Sequence, residues 1–555
     1  MKKQDIKTFL KKVEIFKKLN DSELDIVAQL VEDHHYKTRS FIFQENGLTD
    51  KCIYIIYEGE VELFKKTPFG DEKRLTFFGQ YDFMGEGTIM SDSPHSTNAR
   101  TLKPTHVLSI TLEKFSTLFV SQPTIALKIF MQISKVISRR MQQSNLRVVN
   151  VAAQYESGRT RIEKDLLGQR EVPHEVYYGI QTMRGIENFT VSGVTLNFFP
   201  ELIVSLAMVK LAAARTNHEL GLIPTDITNA IVRACHEIIN GKFHRHFVID
   251  MIQGGAGTST NMNANEVIAN RALEILGHEK GEYQYCHPNN HVNLSQSTND
   301  VYPTSVKIAL IASNEKLIEV LNHLIAGMKE KEKEFAHVIK MGRTQLQDAV
   351  PMTLGQTFGA YATTLEEEIL RLNSNVELFE EVNLGGTAIG TGINAPPEYS
   401  HRVIKHLQQI TRRNIKLAPN LVEATQDTGA FVIYSAAVKR LAVKLSKICN
   451  DLRLLSSGPR AGINEINLPP MQPGSSMMPG KVNPVIPEVV NQIAFKVIGN
   501  DLTVTLAAEA GQLELNVMEP IIVQSLFESI EMLKNGMTTL LHRCINGITA
   551  NEAHC

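Results

Sequence analysis

The chain has 555 residues, a length sufficient for several domains with sizeable cores. Of these residues 43% are hydrophobic and 21% are charged. With 57 basic and 59 acidic residues its net charge is −2, which excludes a strong overall field for nucleic acid or anionic membranes. The sequence has no uninterrupted apolar segment long enough to span a bilayer. Its six cysteines are scattered without a Cys-x-x-Cys pair, which predicts reduced thiols, a cytoplasmic location and no metal site.

Residues 1–145 predict a β-roll with flanking helices. The first 18 residues mix lysines with apolar residues, which indicates an amphipathic helix rather than a signal peptide. Residues 52–64 form two strand patterns interrupted at Gly59, and the segment from Pro68 to Asp71 is a turn signal. A closing helix is indicated by isoleucines at four-residue spacing, namely Ile125, Ile129, Ile133 and Ile137.

This N-terminal pattern resembles a cyclic-nucleotide-binding domain. Phe83-Met84-Gly85-Glu86 is similar to the start of that family's phosphate-binding cassette. The resemblance implies that backbone N–H groups at Gly85 hold the cyclic phosphate and that Glu86 binds the ribose hydroxyl. The arginine expected after the cassette proline is replaced, since Pro94 is followed by His95. A histidine is largely neutral near pH 7 and lacks the guanidinium fork. Regulation by cyclic AMP or cyclic GMP and a docking domain without nucleotide therefore both stay open.

Residues 146–160 are predicted to be a linker, and residues 161–555 a second, mainly helical region. Two apolar stripes at helical spacing predict long helices, Leu317 to Ile325 and Phe358 to Leu372. Long helices joined by loops rich in glycine and hydroxyl groups predict a bundle whose sites lie at the helix ends.

Four loops carry the candidate chemistry, at residues 254–263, 287–300, 342–349 and 474–484. The first is a glycine-rich turn that can cradle an anionic oxygen. The second contains His287 and His291, for which structural hydrogen bonding is favoured over a metal pair because no acidic or cysteine ligand accompanies them.

The fourth loop combines groups suited to proton abstraction next to a bound carboxylate. Two serines, Ser475 and Ser476, supply hydroxyls, and residue types alone do not choose between them as the base. Lys481 can neutralise a carboxylate and Asn483 can hydrogen-bond it.

In this order, the four loops resemble the aspartase/fumarase superfamily throughout residues 161–555. The resemblance implies a long-helix bundle and a homotetramer in which three subunits build each site. It also implies that Ser475 is the general base. Gln345 stands where fumarases usually have histidine, and this favours the aspartase branch, which eliminates ammonia from L-aspartate to give fumarate.

The same resemblance implies roles for the remaining loop residues. The β-carboxylate would be surrounded by Thr258, Ser297, Thr298 and Ser476. The α-carboxylate would be held by Thr344, Lys481 and Asn483, and the amino group would contact Asn299 and Gln345. No organic cofactor is required, because the second carboxylate is the electron sink, and the motifs do not reveal a divalent activator.

Two alternatives stay open: a fumarase-type hydratase, and a catalytically silent scaffold that retains the fold. Related aspartases continue beyond the position that corresponds to Cys555 into a small helical domain. The sequence therefore leads us to expect that this C-terminal domain is truncated.

Overall fold

The computed structural model describes residues 3–45, 51–66, 72–90, 95, 97–148 and 159–555. The chain divides into two compact units, Met1–Ile180 and Gln181–Cys555. Within the described residues, no helix is both long and apolar enough to cross a membrane. The predicted boundaries at residues 145 and 161 stay a prediction, because residues 149–158 lie outside the description.

The first unit contains two four-stranded sheets, with strand orders β1-β8-β3-β6 and β2-β7-β4-β5, and a separate hairpin of β9 and β10. Its strands are β1 (Glu32–Tyr36), β2 (Phe41–Phe43), β3 (Cys52–Glu58), β4 (Val61–Lys66), β5 (Glu72–Phe78), β6 (Phe83–Met84), β7 (Asn98–Thr101), β8 (Thr105–Thr111), β9 (Thr160–Asp165) and β10 (Gly168–Pro173). Its helices are α1 (Lys3–Leu10), α2 (Asp21–Ala28), α3 (Gly87–Met90), α4 (Leu112–Ser121) and α5 (Pro123–Val148).

This arrangement confirms the predicted β-roll with flanking helices. The strand pattern of residues 52–64 is broken at Gly59, where φ is +115° and a Cβ would lie 2.5 Å from Thr105 Oγ1. Only glycine fits both constraints. The predicted closing helix is α5, and three of its four isoleucines are buried. The predicted turn from Pro68 to Asp71 lies outside the described residues.

The sheet that contains β3 and β8 is covered on both faces. One face packs against the helices in a core with Phe16, Ile55 and Leu108, and the other lines the interior of the roll with Tyr54 and Val107. Successive side chains of a strand point to opposite faces of the sheet, so β3 and β8 each contribute residues to both cores.

The second unit is built from helices, several of them long. They are α6 (Ile180–Asn188), α7 (Pro200–Glu219), α8 (Thr225–Ile239), α9 (Thr258–Ile275), α10 (Thr298–Glu334), α11 (Leu354–Val376), α12 (Tyr399–Thr411), α13 (Leu421–Gln426), α14 (Gly429–Leu455), α15 (Val485–Glu509) and α16 (Glu519–Arg543). Short strands pair between them: β11 (Ile339–Thr344) with β12 (Gln347–Thr353), β13 (Glu381–Val382) with β14 (Lys416–Leu417), and β15 (Ile466–Asn467) with β16 (Thr549–Ala550).

Helix α10 is the central element of this bundle, since it packs against α7, α11 and α16, while α15 packs against α14 and α16. The predicted stripe from Leu317 to Ile325 is buried in α10, and the stripe from Phe358 to Leu372 lies on α11. At a rise of about 1.5 Å per residue, the 37 residues of α10 span about 55 Å. Groups at its two ends are therefore far apart.

Candidate functional site

The first group of predicted site residues lies where α9 and α10 begin; we call Thr258, Ser297, Thr298 and Asn299 the helix-start group. The amide of Asn261 joins the two helices, because its Nδ2 donates to Thr298 Oγ1 at 3.0 Å. Thr258 is exposed, and its hydroxyl donates to Gly255 O at 2.7 Å. Two helix N-termini brought together in this way offer a positive electrostatic environment for a carboxylate.

The start of α9 requires a glycine at position 257. Gly257 has φ +88°, and a Cβ there would lie 2.6 Å from the ring of the buried Tyr302. The turn can therefore approach α10 closely only because no side chain intervenes.

The start of α10 is fixed by a capping box. Ser297 Oγ accepts from Asn299 N at 3.2 Å, while the carboxylate of Asp300 accepts from Ser297 N at 3.0 Å. Asn299 Nδ2 donates to Ala388 O at 2.7 Å. The capping box leaves the hydroxyl of Thr298 as an acceptor for Asn261, so the helix start is held from several sides.

Two buried ionisable groups support this helix start. Lys210 of α7 donates from Nζ to Asn293 Oδ1 at 2.8 Å and to Gln296 Oε1 at 3.0 Å. Burial lowers the pKa of Lys210 to about 7, although the nearby Asp300 opposes the shift. Burial raises the pKa of Asp300 to about 6. The backbone N–H groups of Ser297, Gly385 and Thr387 donate to its carboxylate and oppose this rise in pKa.

The histidines of the second loop are engaged in its own backbone. His287 Nδ1 accepts from Asn289 N at 3.0 Å, and His291 Nδ1 accepts from His287 N at 2.8 Å. Burial lowers the pKa of both imidazoles. Both rings therefore shape the loop that leads into α10.

The second group, Thr344 and Gln345, lies at the tip of the hairpin formed by β11 and β12. Gln345 and Leu346 both have positive φ, 54° and 63°, and Thr344 pairs with Gln347 across this two-residue turn. Such a turn twists with the strands and presents its side chains outward. Both side chains of the group are exposed. The base of the hairpin is anchored by the buried Glu465, which pairs with Lys340 at 2.6 Å.

The third group lies in residues 474–483, which we call the serine loop. Its neck is closed by hydrogen bonds from Gly474 N to Lys481 O at 2.7 Å and from Asn483 Nδ2 to Gly474 O at 2.8 Å. Ser475 Oγ accepts from the N–H groups of Met477 at 3.2 Å and Met478 at 3.1 Å. Two donors on one hydroxyl oxygen favour its deprotonated form.

The two serines of the serine loop differ in their exposure to solvent. Ser475 is half-buried, whereas Ser476 and Lys481 are exposed. Among the described residues no ion pair engages the Lys481 ammonium. The loop thus presents one oriented hydroxyl and one available cation toward solvent.

The helix-start group and the hairpin do not meet within one chain. The helix-start group lies at the N-terminal end of α10, and the hairpin follows the C-terminal end of the same helix. The hairpin strands have six and seven residues, about 20 Å, which cannot span the roughly 55 Å length of α10. In the part of the chain that the structure describes, no hydrogen bond or ion pair joins the three groups.

The N-terminal candidate pocket has a neutral side chain at its predicted phosphate position. Gly85 has φ +85°, and a Cβ there would lie 2.4 Å from Cys52 O, so the position requires glycine. His95 and Glu86 are buried, and the imidazole stacks on Phe43 with ring centroids 3.8 Å apart. Burial lowers the pKa of His95, with Glu86 opposing the shift. Within the described residues, His95 Nε2 has no hydrogen-bond partner.

Arg100 does not take the place of the missing arginine. Its guanidinium pairs with the buried Glu62 at 2.6 Å and with Glu72 at 2.9 Å, and it lies over the Phe64 ring. The charge of the Arg100 guanidinium is therefore paired with carboxylates of its own sheet.

Sequence reasoning missed the residues that support the loops, chiefly Lys210, Asn261 and Asp300. Lys210 interrupts an apolar helical run from Ile203 to Ala214, and a lone lysine in such a run is a usable signal for a buried cation. Asn261 and Asp300 lie inside the motif blocks, but their partners are distant in sequence.

Two family models match this chain. A model described as a lyase matches residues 168–499, and one described as a cyclic nucleotide-binding domain matches residues 33–122. The first covers more than half of the chain, and the second covers most of the β-roll.

Named relatives resemble the helical region closely. Aspartate ammonia-lyase of Pseudomonas aeruginosa is 63% identical over 397 residues, which cover 71% of this chain and 84% of the relative. Aspartate ammonia-lyase of Escherichia coli K12 is 59% identical over 400 residues, which cover 72% of this chain and 84% of the relative.

Solved structures show the same architecture. A fumarate lyase:delta crystallin of Brucella melitensis aligns with a TM-score of 0.70 at 59% identity, covering 72% of this chain and 86% of that one. A class II fumarase of Schistosoma mansoni aligns with a TM-score of 0.68 at 38% identity, covering 71% of this chain and 86% of that one.

Proposed function

The chain belongs to the aspartase/fumarase superfamily, and from this membership we propose that it is a carbon–nitrogen lyase that converts L-aspartate to fumarate and ammonia. Identity of 59–63% to aspartate ammonia-lyases, against 38% to a fumarase, favours ammonia over water as the leaving group. The observation that carries the proposal is the serine loop, where two backbone N–H groups hold Ser475 Oγ and the exposed Lys481 supplies a cation in the same loop.

In the proposed mechanism Ser475, as an alkoxide, removes a proton from Cβ of aspartate. The electron pair of that C–H bond moves onto the β-carboxylate, which becomes a dianionic aci form. The pair then returns to form the carbon–carbon double bond while the C–N bond breaks and ammonia leaves. Ser475 afterwards releases the proton to solvent. No cofactor takes part in this proposal.

The β-carboxylate gains charge, so its surroundings matter most for the rate. We place it among the hydroxyls of Thr258, Ser297, Thr298 and Ser476, near two helix N-termini. Thr344, Lys481 and Asn483 hold the α-carboxylate. Asn299 and Gln345 contact the amino group, for which an amide oxygen is a suitable acceptor.

Since one chain cannot assemble these residues, we propose that copies of the chain supply the three groups in a homotetramer. An apolar stripe on α15 supports association, because Phe495, Ile498, Leu502 and Leu506 are exposed at spacings of three and four residues. Phe495 and Leu502 are 64% and 60% exposed in the isolated chain. Such a stripe is typical of a helix that packs against another copy.

The β-roll is proposed to bind a cyclic nucleotide at Gly85 and Glu86, with His95 near the phosphate, and to regulate the lyase. The family match supports this ligand, while the uncharged His95 argues for weak binding. Calorimetric titration with cyclic AMP and cyclic GMP tests it, and no heat with either would favour the docking alternative. The six free cysteines support a cytoplasmic location for the enzyme.

The lyase proposal is tested by Ser475→Ala, followed by fumarate absorbance with aspartate and, separately, malate as substrate. We expect the wild type to act on aspartate in preference to malate. The variant should keep its oligomeric state and lose turnover by at least about a thousandfold. Retained turnover would exclude Ser475 as the base, and preference for malate would favour the hydratase. No turnover by the wild type would favour the silent scaffold.

A further inference from the structure

Three potential metal ligands converge on one face of the N-terminal β-roll. Asp33 and His35 lie two residues apart on β1, so their side chains share a face. β1 pairs antiparallel with β8, and His35 lies directly opposite His106. We call Asp33, His35 and His106 the two-histidine cluster.

Both imidazoles approach the same carboxylate oxygen. His106 Nε2 contacts Asp33 Oδ1, and His35 Nε2 lies 3.6 Å from that oxygen. The two rings are stacked with centroids 4.1 Å apart. One ligand atom from each of the three residues lies within 4.8 Å of the others.

These separations are close to those of a metal site. Zinc bonds of about 2.0–2.1 Å in tetrahedral geometry hold ligand atoms about 3.3 Å apart. Closing the widest separation, and opening the shorter contact between His106 and Asp33, therefore requires movements of at most about 1.5 Å. The His35 side chain is 74% exposed and can turn by that amount without displacing a core residue.

We propose that the two-histidine cluster binds a divalent transition metal ion of the zinc class. Two imidazoles and one carboxylate suit zinc, nickel or copper rather than magnesium or calcium, which prefer oxygen ligands alone. An ion pair needs only one imidazole beside a carboxylate oxygen, whereas two approach this one. A metal ion placed between the three side chains can be bound by all of them. Water or an external ligand completes the coordination.

The site has a structural consequence for the roll. β1 is an edge strand of its sheet and β8 is its neighbour, so the metal ion links the two strands across the sheet. The Tyr57 ring, centred 4.7 Å from His106, covers one side of the cluster. Ion binding therefore stabilises the folded first unit, and it uses no residue of the proposed lyase site.

The test titrates Zn²⁺ into the metal-stripped full chain, kept reduced, in competition with a chromophoric zinc indicator. The chain offers a matched control in His34, which lies between Asp33 and His35 but faces away and bonds Ser109 Oγ at 2.9 Å. The wild type and His34→Gln should both bind one more zinc ion than His35→Asn. Asp33→Asn should weaken that site at least tenfold.

A second measurement follows thermal unfolding of the same proteins with and without Zn²⁺. Zinc should raise the melting temperature of the wild type and of His34→Gln, and should raise that of His35→Asn less. Circular dichroism before the titration checks that His35→Asn is folded. Identical zinc stoichiometry and affinity in the wild type and His35→Asn would overturn the proposal, as would an equal zinc-dependent shift in both.

Discussion

The buried Lys210 gives the sharpest prediction about how the bundle supports its site. Lys210→Met removes the ammonium that holds the loop before α10 while keeping most of the volume of the side chain. Gln296 Oε1 then loses the donor that Lys210 supplies, which costs about 1–3 kcal/mol at any pH. Asn293 Oδ1 keeps two amide donors, from Asn261 and Asn265.

The pH dependence follows from the pKa of Lys210, which burial lowers from 10.5 to about 7. Below about pH 7 the amine is protonated in both states. Above that, the folded state releases the proton while the unfolded state keeps it until about pH 10.5. The unfolded state then binds more protons, so the wild-type free energy of unfolding rises with pH by about 1.4 kcal/mol per unit.

The assay is urea unfolding of wild type and Lys210→Met at fixed protein concentration, from about pH 7.5 to about pH 9. The wild type should gain about 2 kcal/mol of unfolding free energy relative to the variant over this range. Lys316→Met, which removes a half-exposed lysine, should keep the wild-type pH dependence. A gap between wild type and Lys210→Met that stays constant with pH would refute the reasoning.

Further predictions concern the glycine turn and the nucleotide pocket. Gly257→Ala should lower the free energy of unfolding by about 2–4 kcal/mol through the clash with Tyr302. Gly255→Ala, at the same φ of +88° but with only ordinary van der Waals contacts to Thr258, should cost less, and equal losses in urea unfolding would contradict the clash. His95→Arg should tighten cyclic AMP binding at least tenfold in calorimetry, and unchanged affinity would exclude position 95 from phosphate contact. Wild-type affinity should rise as pH falls, because a phosphate favours protonated His95, whereas His95→Gln should lack this dependence.

Local features of the fold could be predicted from the sequence because each depends on neighbouring residues. The strands on either side of Gly59 and the helix of Ile125, Ile129 and Ile133 follow from short-range periodicity. Local sequence also predicts the four polar loops, since glycines and hydroxyl side chains mark helix ends. Thus α9, α10 and α15 begin within or directly after predicted loops.

Relations across the chain could not be predicted, because they depend on packing and strand register. His35 and His106 are 71 positions apart, and only the pairing of β1 with β8 brings them together. The support of the α10 start by Lys210 depends similarly on the packing of α7 against α10. The length of α10 separates the helix-start group from Thr344, and short-range patterns in the sequence do not show that this helix is continuous from Thr298 to Glu334.

The separation of the groups also changes how substitutions in the proposed site are understood. If the proposed site is shared among copies, a defect in the serine loop and a defect in the helix-start group affect the same catalytic centre from different copies of the chain. Two inactive variants could therefore restore activity to each other in mixed oligomers.

That complementation is the most direct test of the account. Ser475→Ala and Thr298→Val chains, each inactive alone, are mixed, dissociated, reassembled and assayed for fumarate formation from aspartate. If different copies supply the two residues, random mixing in equal amounts should restore about one quarter of wild-type activity. Failure to recover activity, in mixed oligomers whose assembly is verified by mass, would contradict a site shared among copies.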